Sequence, residues 1–194
     1  MPEMKPINLP TVSQTANYSG LDPLDGRYYD PEIAKYLSES SRIAYQAYVE
    51  AALGRALAEF GVCTAQVADQ IEEAASKVTA EAVAEQEKTT KHDVKALVNV
   101  IKANCNEEAQ PYVNFGATSY DIVATALSLQ LREAVNEVVL PRLIDLEKTL
   151  LKLTKDYAET VQIGRTHGQH AVPVTFGFAM AEYVSRIGGS ISSL

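Results

Sequence analysis

Apolar residues recur at three- and four-residue steps through most of this chain, and the breaks between the runs mark where helices start and stop. The first clear run is Ile43, Ala47, Glu50/Ala51, Gly54, Leu57 and Ala58. It predicts a helix opened by Ser38 or Ser40 and closed by Gly61 just past its C-terminus. A shorter helix precedes it to about Leu37, with Asp30 as cap, Pro31 at the first helical position and Glu32 complementing the dipole. Thr64 caps a third helix through about Lys77, with Val67, Ala68, Ile71 and Ala75 on one face. Thr79 opens a short acidic fourth through about Glu87. Val94, Leu97, Val98 and Ile101 form the buried face of a fifth, which frays near Asn104 to Asn106.

The longest pattern follows. Tyr120, Ala124, Leu127, Leu131, Ala134 and Val138 make one coiled-coil-like seam, and Leu143, Leu146, Leu150, Leu153 and Tyr157 make another. The two are offset by one residue between Val138 and Val139, beside Pro141. Pro141 lacks an N–H and its ring clashes with the preceding turn, so one helix from about Ser119 to Glu159, kinked at the proline, is expected. The segment Gln162–Phe176 is read as a loop. Thr175 then caps a last helix carrying Phe176, Ala179, Met180, Tyr183, Val184 and Ile187, expected to stop at Gly188-Gly189. No other helix matches the 119–159 segment in length, so more chain or another subunit must cover its seam. The fold class is all-α: an irregular arm over 1–20, an N-terminal helical domain over 21–113, and over 114–194 the first long helices of an antiparallel bundle.

Composition narrows the function classes. A formal charge of −8, with 46% hydrophobic and 22% charged residues, describes an ordinary globular chain. It carries no clustered basic patch for nucleic acid or for a membrane surface, so neither is an expected partner. No apolar run approaches a membrane span and the N-terminus lacks a signal-peptide core, which points to the cytoplasm. Cys63 and Cys105 have no CxxC partner and read as packing thiols of a reducing compartment.

Chemistry concentrates in four short segments. The densest is Gln162–Phe176, which holds Arg165, Thr166, His167, Gln169 and His170. His167-x-x-His170 is too sparse for zinc, which usually takes three or four protein ligands, so no metal is expected. His167 fits acid–base work, because histidine titrates near neutrality; structural packing of a polar turn is the alternative that spacing leaves open. The same two readings apply to His92, which follows Lys91 at the mouth of the fifth helix. A helix N-terminus flanked by Lys and His suits an anion. Asn114-Phe-Gly-Ala-Thr-Ser-Tyr-Asp121 offers a second helix N-terminus, with Thr118 or Ser119 as cap. Arg27 and Tyr28 fit either a phosphate or a salt bridge beside a packed ring.

Taken together and in order, Leu24-Asp-Gly-Arg-Tyr28, Thr90-Lys-His-Asp-Val94, Asn114–Asp121 and Gly164-Arg-Thr-His-Gly-Gln-His-Ala171 closely resemble the motifs of the adenylosuccinate lyase family, within the fumarase/aspartase superfamily. The last segment is the most specific, since relatives in that superfamily typically have Thr-His-Leu-Gln where this chain has Thr-His-Gly-Gln. The resemblance runs from about Leu21 to Leu194. It implies a fumarase/aspartase-like fold and a β-elimination of fumarate from adenylosuccinate, giving AMP, and from the succinylated carboxamide intermediate of purine synthesis. No cofactor is implied.

By the same resemblance, His167 is the general acid toward the leaving nitrogen, and Arg27 and Tyr28 bind the nucleotide phosphate. Lys91, His92 and Asp93 fall on the family's substrate segment, with Lys91 where arginine is common. Thr118, Ser119 and Thr166 hold the succinyl carboxylates. The family assembles as a homotetramer whose sites draw on three subunits. Its general base is a serine on a Ser-rich loop followed by Met-Pro-x-Lys-x-Asn-Pro, and this sequence has no such segment. The chain is therefore expected to be an N-terminal fragment without lyase activity of its own. Two other functions fit the sequence: another fumarate-forming lyase of the superfamily, and a non-catalytic helical oligomerisation or ligand-binding module.

Overall fold

The computed structural model describes residues 28–194. The N-terminal arm and Arg27 lie outside the described residues. The chain divides into two compact units that meet between Glu133 and Ala134.

In the first unit, α1 (Pro31–Leu37) leads into α2 (Glu39–Glu59), followed by α3 (Ala65–Ser76), α4 (Ala80–Thr90) and α5 (Asp93–Asn104). A 3₁₀ turn at Gln110–Tyr112 precedes α6 (Ser119–Ala134). The caps follow the sequence. Asp30 accepts from the Glu32 and Ile33 amides, Ser38 from Ser41, Thr64 from Val67 and Thr79 from Ala82. Gly61 takes a positive φ of 71°, and Val62 N–H reaches Leu57 O at 2.8 Å while Gly61 N–H reaches Ala58 O at 3.0 Å. This pair of bonds is a Schellman ending, which needs a left-handed residue at that position.

Helix α2 is central rather than amphipathic: it contacts α1, α3, α4 and α5 and buries ten of its residues. Ile43, Tyr45, Ala47 and Ala51 meet Ile71 and Ala74 of α3 and Leu97 and Ile101 of α5 in one core. Gly54 lets α3 close in, since an added Cβ would lie 3.3 Å from Ile71 Cδ1. Because α2 is covered on most sides, three of its polar residues, Ser41, Gln46 and Glu50, are buried too. Ser41 donates to Lys35 O at 2.8 Å, while Gln46 and Glu50 sit in the interior at 1% exposure each. From α6, Gln130 donates to Tyr36 O at 2.6 Å, and Tyr45 hydrogen-bonds Glu133. Cys105 is buried and free, and burial pushes its thiol pKa up.

The second unit contains a π-helical turn (Val135–Val139), α7 (Leu140–Asp156), β1 (Val161–Thr166), β2 (Gln169–Thr175) and α8 (Phe176–Ser193). Helical backbone runs unbroken from Ser119 to Asp156, but the irregularity expected at Pro141 is built differently. Leu140 N–H bonds to Val135 O, five residues back, so the chain carries one extra residue per turn just before the proline. That inserted residue accounts for the one-residue offset between the two apolar seams.

Two further expectations are corrected. Gln162–Phe176 is a β-hairpin closed by a tight turn and not an irregular loop. Helix α8 also runs through Gly188-Gly189 to Ser193. A glycine inside a helix costs only about 1 kcal/mol, and Gly188 packs where an added Cβ would lie 2.7 Å from Glu147 Oε1 of α7. Gly177 is tighter still, since its Cβ would meet Thr154 O at 2.5 Å and the Ala158 backbone at 2.8 Å. There Gly177 N–H bonds Tyr157 O, and the Tyr157 and Phe176 rings meet edge to face at 5.3 Å. No residue of α7 is buried, which leaves its apolar seam only partly covered.

Candidate active site

In the first unit, the turn from α4 into α5, one face of α5 and the segment from Pro111 to Ser119 line an open cavity of about 650 Å³. Two of these walls are shaped by backbone conformations that most side chains avoid. Lys91 ends α4 at φ 52°, and its N–H bonds Glu87 O at 2.8 Å. Asn114 stands at φ 61°. The remaining non-glycine residue with positive φ among the described residues is His167, so all three fall in segments singled out by their chemistry.

The left-handed turn at Lys91 frees His92 to cap α5. Its Nδ1 accepts from Lys95 N–H over a long 3.4 Å, and its Nε2 lies 3.3 Å from Ser119 Oγ. Nδ1 also lies 3.3 Å from Asp93 Oδ1, so the ring stands between Asp93 and Ser119. Two helix N-termini, of α5 and α6, are thereby joined across 27 positions of sequence at the rim of one cavity. At α6, Asp121 Oδ2 accepts from Thr118 N–H at 2.9 Å, reaching back as the third helical residue does in a capping box.

His92, Asn114, Gly116 and Ser119 line the cavity together with Lys95 and Lys102. Lys91, Asp93 and Thr118 are chain neighbours of lining residues and are not themselves part of the lining. Asp93 reaches three neighbours: its Oδ1 accepts from Val94 N–H at 2.7 Å and lies 3.3 Å from His92 Nδ1, and its Oδ2 lies 3.6 Å from Arg42. The two lysines were missed in the sequence reading. Their signal was available, since Lys95 and Lys102 are one heptad apart on α5 and share a face with Val98. The described lining contains no Asp or Glu, so the cavity is electropositive and matched to an anion.

Tyr28, the first described residue, is 71% exposed. Thr166 and His167 belong to the second unit. Thr166 pairs with Gln169, which leaves His167 and Gly168 as a two-residue turn with φ values of 50° and 70°. Positive φ at both positions is the signature of a type I′ hairpin turn, and histidine is among the few side chains that tolerate it. The turn holds the exposed imidazole at the tip of a ladder. Gly164 lies at a bulge in that ladder, between the pairs Ile163–Pro173 and Arg165–His170. Among the described residues, no three His, Cys, Asp or Glu side chains cluster closely enough to hold a metal ion, and no helix is long and apolar enough to cross a membrane.

Comparison with known proteins identifies relatives of this arrangement. A family described simply as "Lyase" matches residues 27–193. Adenylosuccinate lyase of Methanocaldococcus jannaschii is 37% identical over 190 residues, which is 97% of this chain and 41% of the relative. The adenylosuccinate lyase of Archaeoglobus fulgidus is 41% identical over 167 residues, covering 85% and 36% respectively. N-acetyl-S-(2-succino)cysteine lyase of Enterococcus italicus is 35% identical over 173 residues, covering 88% and 38%. Among solved structures, 3-carboxy-cis,cis-muconate lactonizing enzyme from Pseudomonas putida superposes with a TM-score of 0.77 at 32% identity, covering 85% of this chain and 38% of that one. Fumarate lyase from Mesorhizobium sp. BNC1 gives 0.76 at 31%, covering 84% and 39%. The chain thus spans about two-fifths of the length of these relatives.

Proposed function

From the premise that the chain belongs to the lyase family, with a fumarase/aspartase-like all-α fold, we infer that it forms part of an enzyme eliminating fumarate from a succinylated purine nucleotide or its carboxamide precursor. The observation that carries this reading is the electropositive cavity in which His92 and Ser119 converge beside Lys95 and Lys102. In β-elimination a carbon next to a carboxylate loses its proton, and negative charge builds on that carboxylate. Donors that grip it more strongly as charge develops lower the barrier. Ser119, Thr118 and Thr166 supply hydroxyls for the succinyl carboxylates, and Lys91, His92 and Asp93 border them. Lys91 acts as a point charge where an arginine would make a fork.

His167 donates the proton to the departing nitrogen. A type I′ turn suits that role, because it fixes the imidazole's direction while leaving both ring nitrogens accessible. Arg27 and Tyr28 take the nucleotide phosphate. The active enzyme is a cytoplasmic homotetramer with sites shared between subunits, it uses no cofactor, and the 194-residue chain alone has no turnover. The half-covered seam of α7 supports assembly.

His167→Asn tests the assignment cleanly. Asn-Gly is the preferred pair for a type I′ turn, so the hairpin is retained while the proton donor is lost. Turnover of adenylosuccinate by the product of the reading frame that encodes this chain should fall about 10²- to 10⁴-fold. An unchanged kcat in that variant would remove His167 from the mechanism. The succinocysteine lyase relatives favour a second reading, elimination from sulfur instead of nitrogen. Assaying both substrates on one preparation decides between the two, and a larger kcat/KM for the thioether would establish the second.

A further inference from the structure

Glu50 is a carboxylic acid in the middle of the first unit's core, 1% exposed, on a helix whose other interior positions are mostly Ala, Val and Ile. Burying such a group is unfavourable unless its hydrogen bonds are made, and an apolar residue of similar volume usually stabilises a core better. One of its oxygens is used: Asn114 Nδ2 donates to Glu50 Oε1 at 2.7 Å. The other, Oε2, has no hydrogen-bond partner, and neither has Gln46 Oε1 one turn earlier on α2. The partner it does have is informative. Asn114 holds a left-handed backbone at φ 61°, lines the cavity, and begins the segment that carries Gly116 and Ser119 along the same wall. Glu50 itself is not part of the lining.

We propose that Glu50 is a positioning residue, which through its hydrogen bond to Asn114 holds the Asn114–Ser119 rim in the conformation that faces the cavity. The far end of the rim is held by Asp121, which accepts from Thr118 N–H, and by His92 at Ser119, but its near half is loosely fixed: Ala117 N–H reaches Asn114 O at 3.4 Å and Phe115 N–H reaches Tyr112 O at 3.3 Å, both weak bonds. A tether to the central helix joins this rim to an element that buries ten of its residues. Such support behind a binding wall is what keeps its donors in register with a ligand. Burial pushes the Glu50 carboxyl pKa up, against the opposing pull of the Asn114 bonds and of Lys102. The site is therefore supported by a group that accepts from Asn114 whether or not it is ionised.

The inference rests on the reading of this cavity as a carboxylate site, and two measurements on the 194-residue chain separate them. Amide exchange followed by NMR reports the rim directly. Glu50→Ala should speed exchange of the Phe115 and Ala117 amides about tenfold while leaving Ile71 and Leu97 unchanged, and Glu50→Gln, which retains the acceptor, should restore protection. Asn114→Gly accepts the same φ without the side-chain donor and should match Glu50→Ala, so the test survives if the alanine variant folds poorly. Uniform acceleration across α2, α3 and α5, or an undisturbed rim, overturns the proposal. Titration with fumarate should show about tenfold weaker binding by Asn114→Gly than by Glu50→Gln. Equal affinities also overturn it. If the unsubstituted chain binds no fumarate, the reading of the cavity falls, and the exchange pattern alone upholds or overturns the tether.

Discussion

Replacing Gly164 by alanine should open the hairpin that presents His167 without unfolding the rest of the chain. At the bulge, an added Cβ would lie 2.5 Å from the Val172 carbonyl oxygen. Ordinary carbon–oxygen contacts between strands are about 3.3 Å or longer, so β2 must retreat by about 0.8 Å. The obstruction is backbone, which cannot swing aside as a side chain can. Overpacking of this kind costs about 1–3 kcal/mol. The hairpin is a two-stranded ladder with mostly exposed side chains, and such ladders are marginally stable alone. The strain should therefore appear as local opening, with amide exchange in Val161–Thr166 and Gln169–Thr175 faster by about 5- to 150-fold and α3 and α5 unaffected. Hydrogen exchange resolved by NMR reads this directly. Unchanged protection in both strands would refute the close-approach account of Gly164.

Other expectations follow from single sites. Gly189→Ala adds a Cβ that meets nothing within 4 Å, and it should stabilise α8 by about 0.5–1 kcal/mol, raising the thermal midpoint. A fall would mean that α8 does not continue through the glycines. Ile71→Ala empties a position with 0% exposure and should cost about 2–5 kcal/mol in urea unfolding, whereas a loss below about 1 kcal/mol would place α3 outside the core. For Glu50 the pH dependence has a definite sign. Its carboxyl binds a proton more tightly when folded than when unfolded, so its contribution weakens stability as pH rises from about 4.3 through the raised folded value. Glu50→Gln should remove that dependence, and its advantage over the parent chain in denaturant should grow across that interval; a constant difference would show that Glu50 does not titrate there.

How much was legible in the sequence differs from element to element. Asp30, Ser38, Thr64, Thr79 and Thr175 were readable as caps and Gly61 as a stop, because capping is decided within four or five residues by side-chain oxygens and left-handed backbone. The one-residue slip between the seams was visible, but its form was not. A proline and a π turn answer the same irregularity, and the choice depends on how carbonyls around Val135 find partners. The hairpin was missed because Gly164, Gly168 and Pro173 read as loop residues, while here they serve a bulge, a type I′ turn and an edge position. Gly188-Gly189 read as a stop, and packing against α7 carried the helix through.

Local patterning alone established the all-α class, most of the helix caps, and the short segments that hold the candidate site residues. All of these depend on local periodicity and on residue types within a few positions of one another. Only the tertiary structure decided that α2 is enclosed on most sides, that His92 meets Ser119 across 27 positions, and that Lys95 and Lys102 face the same cavity. It also decided that the buried carboxyl of Glu50 reaches Asn114 from 64 positions away. Such pairings follow from how helices stack to bury their apolar faces, and no local rule encodes which distant neighbour a side chain will find.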